Sequence, residues 1–528
     1  MPEYLSPGVY IQEVDSGPRP IEGVGTACAA FVGFAPAAPD GMDNRPVLVT
    51  NWLQYVEKFG RLEEEGRRNP HLEGAYLSQA VWGYFLNGGG RCYVTRVVAG
   101  VDGKSSGPEK TEPLQLPSKS SKAVPALTIT PKGSPTDNIQ VEVLPPTPTG
   151  EGPEQATPEG TFTLRFKMGG VEEVFENVGL GRRAAKPVET INQTSRLVTV
   201  VENVTSGPLA DRVPDVASYL LKAAQPPVVP QVRANHFKGD VVERSGMEGL
   251  EIAEDVTMVC CPDLMAAYRA GSMDADGVKA VQLAMIAHCE RMGDRVAILD
   301  PLPGLSPQDA RRWRQVDTNY DSKYAALYYP WLVVDGPDGK RLEVPPCGHM
   351  AGVWARTDNE RGVHKAPANV ELRGVLETAM PITKGEQDTL NPMGVNCIRS
   401  FTGRGIRVWG ARTLSSDPAW RYINVRRLFN YVEESLEQGL QWVVFEPNDA
   451  GLWARVRRDV TAFLTGAWRD GMLFGQAADQ AFFVKCDEEL NPPDVRDRGQ
   501  LFVDIGLAPV KPAEFIIFRL SQWAGGGA

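Results

Sequence analysis

The stretch SPGVYIQEV, at residues 6–14, decides how this chain folds and assembles. It is a short β-prone run beside a terminus, and apolar side chains point to both of its faces. A terminal strand frays unless something ties it down. An arm that extends beyond the folded body can pair with a sheet edge on a neighbouring molecule. We therefore predict a donated strand formed by Val9, Tyr10, Ile11, Gln12 and Val14.

The opposite end of the chain has the same character. PAEFIIFRLSQW, at residues 512–523, predicts a second arm strand through Phe515, Ile516, Ile517 and Phe518. Behind the first arm lies GPRPIEGVG, a glycine- and proline-rich hinge at residues 17–25 marked by Gly17, Pro18, Pro20 and Gly23. Unpaired strands at both ends indicate a subunit that is linked to copies of itself by strands donated between neighbours.

Size and composition restrict the class of protein. The 528 residues, 57.6 kDa, exceed one hydrophobic core, so several domains are expected. Apolar residues make up 42% and charged residues 23%, which is typical of soluble globular proteins. The net charge of -11 argues against a nucleic-acid partner. We find no signal peptide and no apolar run of about 20 residues, so we expect cytoplasmic synthesis and no membrane insertion.

The predicted fold class is α/β and α+β multidomain, with an inserted β-rich domain and extended terminal arm strands. An arm and hinge at residues 1–25 precede the first piece of an α/β core at residues 26–100. A β-rich insertion follows at residues 101–235, then the second piece of the core at residues 236–394 and a C-terminal α+β domain at residues 395–528. The insertion is rich in Pro, Ser, Lys, Gly and Thr around short alternating runs.

The C-terminal part has its own pattern of elements. Two amphipathic helices are predicted, one with an apolar stripe from Val425 to Leu436 and one with an apolar face from Leu452 to Trp468. Strands are predicted at residues 441–445, 481–486 and 513–521.

Several sequence blocks resemble the sheath proteins of contractile tails and related injection systems. Besides the N-terminal arm they are YAALYYPW, VPPCGHMAG, RTDNERGVHKAPAN, LNPMGVNCIR, GIRVWGARTL, NVRRLF and WVVFEPN, which begin at residues 324, 344, 356, 390, 405, 424 and 442, and the C-terminal run after residue 512. The blocks cover most of residues 245–528. Residues 101–235 match no pattern that we can name, and in this family such insertions vary and face outward.

The resemblance implies a tail-sheath-like core and a mechanical function. Such subunits stack as rings or a helical sheath around an inner tube, and contraction drives the tube through a target envelope. Their arms complete a sheet in a neighbour's C-terminal domain. The implied partners are further copies, the inner tube, and baseplate and cap proteins. An extracellular injection system or phage-tail-like particle is favoured, and a type VI system ranks last because its sheath is usually split over two chains.

The resemblance also implies a tube contact through charge complementarity on a C-terminal-domain helix. Arg455, Arg458 and, nearer the flank, Arg457 are the candidates for pairing with tube carboxylates. A charged helix face that is simply solvated remains an equally good interpretation. Similarly, Asp358 and Arg361 are interpreted as a local pair, with an inter-subunit role as the alternative.

Catalysis and metal binding are weighed against structural roles. Cys347, His349, His364 and Cys397 lack the paired spacing of zinc ligands. Asp300, with Asp263 and His288, would be the centre of an α/β active site, but a strand-end aspartate that caps a turn is more common. Eight scattered cysteines without a CxxC pair indicate reduced thiols. We expect no enzyme, cofactor or metal, with a cytoplasmic α/β enzyme of unknown substrate as the alternative.

Overall fold

A computed structural model describes residues 21–519, apart from short gaps. The residues outside the description are 1–20, 64–65, 99, 102–103, 106–112, 120–124, 133–137, 148–159, 169–170, 181–183, 185, 204–207, 209–211, 222–228 and 520–528. The predicted N-terminal arm strand and the hinge residues Gly17, Pro18 and Pro20 therefore lie outside the described residues.

An eight-stranded sheet, here the large sheet, forms the centre of the molecule. Its inner strands run parallel, and one antiparallel strand closes each edge. Most inner strands are buried runs of small or apolar residues, as expected for strands covered on both faces. In spatial order the strands are Pro46–Val49, Arg91–Arg96, Cys28–Gly33, Met258–Cys260, Val296–Leu299, Ala325–Tyr329, Val395–Phe401 and Gly405–Val408.

Helices and a small second sheet cover the large sheet. Two of the helices, Leu77–Leu86 and Cys347–Arg361, pack closely because glycines lie between them. A Cβ on Gly348 would lie 2.4 Å from the backbone of Ala80. The other α-helices of this part are Trp52–Phe59, Ala234–Lys238, Leu264–Arg269, Ala275–Met292, Pro307–Arg312 and Lys384–Leu390, and the small sheet holds Leu332–Asp335, Arg341–Val344 and Glu377–Thr378.

The described residues between 114 and 221, here the insert, pack around a hydrophobic core of their own within the range expected for the insertion, whereas Val232 belongs to the main core. The insert leaves the large sheet after the strand Arg91–Arg96 and contains two antiparallel sheets. One holds Val171–Gly179, Thr161–Met168, Ile139–Leu144 and Ser218–Leu221, and the other holds Val198–Glu202, Pro125–Pro131 and Leu114–Pro117. Alternating burial along Ile139–Leu144 matches the alternation of its sequence, because one face of the sheet lies on the core.

The C-terminal part contains a third core. The helix Ile423–Gly439, here the junction helix, and the helix Ala450–Arg469, here the arginine helix, pack against a two-stranded terminal sheet. That sheet pairs Phe482–Lys485 with Asp504–Leu507 in antiparallel register. Two short helices, Ala478–Ala481 and Pro493–Asp497, complete this part.

Three sequence-based expectations differ from the structure. The large sheet continues through Val395–Phe401 and Gly405–Val408, so the core extends past the expected boundary at residue 394. The strand expected at 441–445 is a 3-10 turn, Gln441–Val443, followed by a loop. The sequence predicts a strand at 513–521, but its described residues 513–519 form no strand, and the second strand of this part is Asp504–Leu507.

None of the helices in the described part of the chain has the length and apolar character that a bilayer crossing needs.

Candidate assembly surfaces

Glu514 anchors the C-terminal segment to the body of the protein. Its carboxylate accepts bonds from Arg412 Nε at 2.9 Å and Nη2 at 2.6 Å, from Asn391 Nδ2 at 2.7 Å and from the Tyr422 hydroxyl at 3.0 Å. Burial alone would raise the pKa of Glu514, but the bonds from Arg412 and Asn391 outweigh it and hold this pKa below its usual value. The chain is therefore fixed at residue 514.

Arg412 connects this anchor to the large sheet. Its backbone N–H donates to Asn396 Oδ1 at 2.7 Å, and Asn396 Nδ2 donates to the carbonyls of Arg412 and Leu327 at 2.8 and 3.1 Å. Asn396 and Leu327 belong to neighbouring parallel strands. The anchor is thus connected to two neighbouring strands of the large sheet, the sixth and seventh in its spatial order.

Directly after the anchor, the chain exposes four consecutive apolar side chains. Phe515, Ile516, Ile517 and Phe518 are 71–83% exposed. Residues 515–518 pair with no strand in the part of the chain that the structure describes. Unpaired backbone with apolar side chains on both faces is the form of a strand that pairs with a sheet edge elsewhere.

The terminal sheet offers such edges. Each of its strands pairs only with the other within the described ranges, so two edges are open. Its inner face packs Phe482 and Val484 on the core, and its outer face leaves the side chain of Phe483 59% exposed. A two-stranded sheet is marginally stable alone, and added strands would stabilise it.

The N-terminal segment is held by the junction helix from Ile21 onward. Ile21 lies in the C-terminal core, and Val24 N donates to Ser435 Oγ at 3.1 Å. The backbone of Gly23 packs closely against the side chain of Tyr431. A Cβ added to Gly23 would lie 2.0 Å from the hydroxyl oxygen of Tyr431. Gly23 is therefore a fixed point, and rotation at the predicted hinge would have to occur before Ile21.

A buried ion pair joins three parts of the chain. Arg427 of the junction helix donates to both carboxylate oxygens of Asp358, at 2.8 and 2.5 Å, and both side chains are 3% exposed. The Thr26 hydroxyl also donates to Asp358, at 2.7 Å, and Arg427 donates to the Thr26 carbonyl at 2.9 Å. The local pair of Asp358 with Arg361 that the sequence favoured is wrong, since Asp358 is directed to the junction helix.

The arginine helix presents two of its three candidate arginines to solvent. Arg455 donates to Glu446 at 3.1 Å and lies 5.4 Å from the ring centre of Trp442. Arg458 contacts its neighbour Asp459 at 2.9 Å, and the side chains of Arg455 and Arg458 are 47% and 53% exposed. Arg457 instead donates to the Cys486 carbonyl, inside the C-terminal part. The exposed face therefore holds Arg455 and Arg458, and Arg457 has a structural contact.

Sequence reasoning missed Phe445, which precedes the arginine helix. Its side chain is fully exposed, and its φ is +68°. A bulky side chain rarely adopts this left-handed region, where strain costs about 1–3 kcal/mol. The run WVVF indicated a strand, and no signal in the sequence pointed to a strained loop.

The carboxylates considered for catalysis serve as helix caps. Asp263 accepts backbone N–H bonds from Phe34 at 2.5 Å, from Leu77 at 3.2 Å and from Tyr76. Asp300 accepts the backbone N–H of Cys347 at 2.9 Å. Burial raises the pKa of each aspartate to about 7. Asp263 and Asp300 cap the helices Leu77–Leu86 and Cys347–Arg361, which are distant from them in the sequence. Neither side chain caps the turn that directly follows its own strand, which is the role that the sequence pattern predicts.

The other chemical candidates have structural surroundings too. His288 is buried beside Glu248 and Arg295, and burial lowers its pKa to about 4. In the ranges that the structure describes, no group of three or more His, Cys, Asp and Glu is arranged to hold a metal ion. All eight cysteines are buried free thiols.

Two protein-family profiles match consecutive parts of the chain. The phage tail sheath protein central domain matches residues 247–414, and the phage tail sheath C-terminal domain matches residues 415–522. Together they cover slightly more than half of the chain. Their boundary follows the last strand of the large sheet, which agrees with the extended core.

Curated relatives match the same region. Over 255 residues the chain is 30% identical to a putative prophage major tail sheath protein of Pseudomonas aeruginosa strain UCBPP-PA14, covering 46% of this chain and 63% of the relative. Over 226 residues it is 28% identical to the tail sheath protein of Vibrio phage KVP40, covering 41% and 31%. The chain thus spans less than two thirds of the length of these relatives.

Solved structures share the fold over almost the entire chain. The helical sheath of the anti-feeding prophage in its contracted state is 24% identical with a TM-score of 0.58, covering 98% of this chain and 100% of that one. The contracted sheath complex of the extracellular contractile injection system PVC is 24% identical with a TM-score of 0.53, covering 99% of both. A chain of the anti-feeding prophage baseplate is 25% identical with a TM-score of 0.55, covering 98% and 99%.

Proposed function

The chain belongs to the phage tail sheath family, and from this premise we propose that it is a contractile sheath subunit that polymerises around an inner tube. Membership confirms the resemblance inferred from the sequence blocks, and it places the chain in a family of structural, non-enzymatic proteins. The single observation that carries the proposal is Glu514, a fixed point followed immediately by an exposed, unpaired apolar segment.

Donor and acceptor occur together in one chain. Residues 515–518 are the donor segment, and the open edges of the terminal sheet are the acceptor. A strand passed from one copy to the next is a head-to-tail contact, which propagates as a ring or helix and does not close as a dimer. Polymerisation into a sheath follows from this asymmetry.

The free energy expected for each donated strand is small, and it suits an assembly in which many such links are repeated. An arm with about five ladder bonds, each worth roughly 0.5–1.5 kcal/mol, contributes only a few kcal/mol. The predicted N-terminal strand with Val9, Tyr10 and Ile11 would provide a second link per subunit. Two weak links repeated through a lattice act multivalently and hold firmly. The bodies can then repack during contraction while the arms stay paired.

The other proposed partners are inferred from the exposed face of the arginine helix and from the solved structures that this chain is similar to. We assign the inner tube to the face with Arg455 and Arg458, whose exposed ion pairs would each contribute about 0–1 kcal/mol and would release during contraction. Arg457 is a weaker candidate because it donates to the Cys486 carbonyl. Likeness to the anti-feeding prophage and PVC chains supports an extracellular injection system or phage-tail-like particle, with baseplate and cap proteins as further partners.

Electron microscopy of purified chains tests the proposal. The full chain and a chain ending at residue 519 should form hollow rings or tubes, whereas a chain ending at residue 514 should remain a folded monomer. The chain ending at 519 is the matched control, because it keeps the apolar donor segment. Sheaths formed normally by the chain ending at 514 would refute the donated strand, and discrete enzyme-like oligomers from the full chain would refute the sheath.

A further inference from the structure

Phe445 is an unusual residue for the surface of an isolated chain. Six non-glycine residues with positive φ occur in the described part of the chain; four are asparagine, which tolerates this conformation, and one is Arg244. Phe445 is the only apolar one, it is fully exposed, and the preceding Val444 is 64% exposed. Backbone strain destabilises the isolated chain, and the exposed ring contributes no burial energy to offset it, so a benefit of this residue would arise in a complex.

The loop around Phe445 is held firmly. The backbone N–H of Glu446 donates to the Val443 carbonyl at 3.1 Å. Asn448 donates to the Gln500 carbonyl at 2.8 Å and accepts from Trp453 Nε1 at 2.8 Å. The phenyl ring thus projects from a preorganised loop, and binding through it would cost little ordering entropy.

Phe445 lies beside the exposed arginines. The next residue, Glu446, accepts from Arg455, and Arg458 follows three residues later on the same helix. An exposed aromatic ring next to arginines has the composition of a binding hot spot. Each arginine has an acidic partner within the chain, but both guanidinium groups remain about half exposed, so they favour a partner with carboxylates around an apolar pocket.

We propose that Val444 and Phe445, here the knob, insert into an apolar pocket on the inner-tube subunit that is rimmed by carboxylates. This inference rests on the proposed function, which assigns the neighbouring arginines to the tube. The knob explains how a contact built from weak exposed ion pairs gains position and register on the tube, because an aromatic ring in a pocket fixes where the arginines lie.

Phe445→Gly tests the knob without damaging the fold. Glycine adopts a φ of +68° freely, so the melting temperature of the monomer should stay the same or rise. Sheath formed on tubes of the inner-tube subunit should fall about tenfold, the loss expected for an aromatic hot spot. The matched control is Phe474→Ala, which removes another exposed phenyl ring (74%) from the C-terminal part and should leave tube-templated assembly unchanged.

Three results would overturn the inference. Normal assembly of Phe445→Gly on tubes would show that the ring makes no such contact. An equal loss of assembly in the absence of tubes would assign the knob to a neighbouring sheath subunit. A lower melting temperature of the Phe445→Gly monomer would make the residue structural. Failure of the unmutated chain to assemble on tubes would instead remove the proposed function, and the knob with it.

Discussion

Arg427 closes a two-bond ion pair on Asp358, a residue 69 positions earlier in the chain, and both side chains are almost fully buried. The pair fastens the junction helix to the helix Cys347–Arg361, and Thr26 ties the N-terminal segment to it. This buried pair is thus one of the structural connections between the core and the C-terminal part.

Removal of one partner of this pair should destabilise the protein strongly. Asp358→Ala leaves the Arg427 guanidinium buried without its counter-charge, so we expect a loss of about 3–5 kcal/mol in the free energy of unfolding. The measurement is urea denaturation. Asp494→Ala is the control, since it breaks the exposed pair of Asp494 with Arg498 and should cost about 0–1 kcal/mol. Similar losses for both variants would contradict the role of the buried pair.

The buried carboxyls predict a specific pH dependence of stability. Burial raises the pKa of Asp263 and Asp300 to about 7, above the unfolded value near 4, so the folded chain binds more protons between these values. Their contribution to stability is complete below about pH 4 and declines as the pH rises to about 7. His288 acts oppositely, because its lowered pKa makes its contribution decline as the pH falls from about 6.5 to about 4.

Asp263→Asn separates these effects. The amide cannot ionise, so the stability difference between the unmutated chain and the variant should shrink as the pH rises from 4 to 7. Denaturation midpoints at several pH values measure this difference. Asp276→Asn, which makes the same chemical change at an exposed position in the first turn of the helix Ala275–Met292, is the matched control. A difference that stays constant with pH would show that Asp263 does not titrate in this range.

The Glu514 anchor should matter more to assembly than to folding. Glu514→Ala leaves Arg412 without its carboxylate and frees the segment before residues 515–518. We expect a loss of about 1–3 kcal/mol in monomer stability and faster proteolysis near residues 511–519, with shorter or absent sheaths. Glu488→Ala, at an exposed position in the same part of the chain, is the control. Full-length sheaths from Glu514→Ala would argue against the anchor.

Two glycines near helix N-termini should respond oppositely to alanine. A Cβ on Gly348 would collide with the Ala80 backbone at 2.4 Å, whereas Gly385 has open space around it. Gly348→Ala should cost about 1–3 kcal/mol through overpacking, and Gly385→Ala should gain up to about 1 kcal/mol from helix propensity. Thermal denaturation would show melting temperatures that shift in opposite directions, and equal shifts would contradict the close helix packing.

Charge reversal tests the tube-facing surface. The double change Arg455→Glu and Arg458→Glu should weaken tube-templated assembly, since both positions would repel carboxylates on the tube. The control is Arg311→Glu with Arg312→Glu, which alters the net charge equally on an exposed helix of the core. Sheath length on tubes is the readout. Unchanged sheath length with the arginine-helix variant would show that this face does not contact the tube.

Local patterns in the sequence predicted much of the fold. The buried strand before Asp263, the helix Leu77–Leu86 and the two C-terminal helices all follow from their apolar spacing. The blocks of the resemblance also identified the family. What the patterns could not give are contacts between distant residues, such as Arg427 with Asp358 or Arg412 with Glu514, which lie 69 and 102 positions apart.

The misread segments have physical causes. WVVF is β-prone, but its backbone turns at Gln441–Val443 and reverses at Phe445, so tertiary contacts override the local propensity. YAALYYPWLVV reads as one strand, yet Pro330 lacks the N–H that a ladder needs, and the chain forms two strands in different sheets. The strand predicted at residues 515–518 would pair with a second copy, so its formation depends on contacts between molecules and not on contacts within the chain.

The route from Glu514 through Arg412 and Asn396 to Leu327 has a mechanical consequence. If a neighbour pulls on residues 515–518, the tension reaches Glu514 first and then passes into adjacent parallel strands of the large sheet. Within the donating subunit this route bypasses the two-stranded terminal sheet, which takes up load only where it accepts a neighbour's segment. In a contracting lattice, force would thus pass from each acceptor sheet through the donated segment into the large sheet of the next subunit.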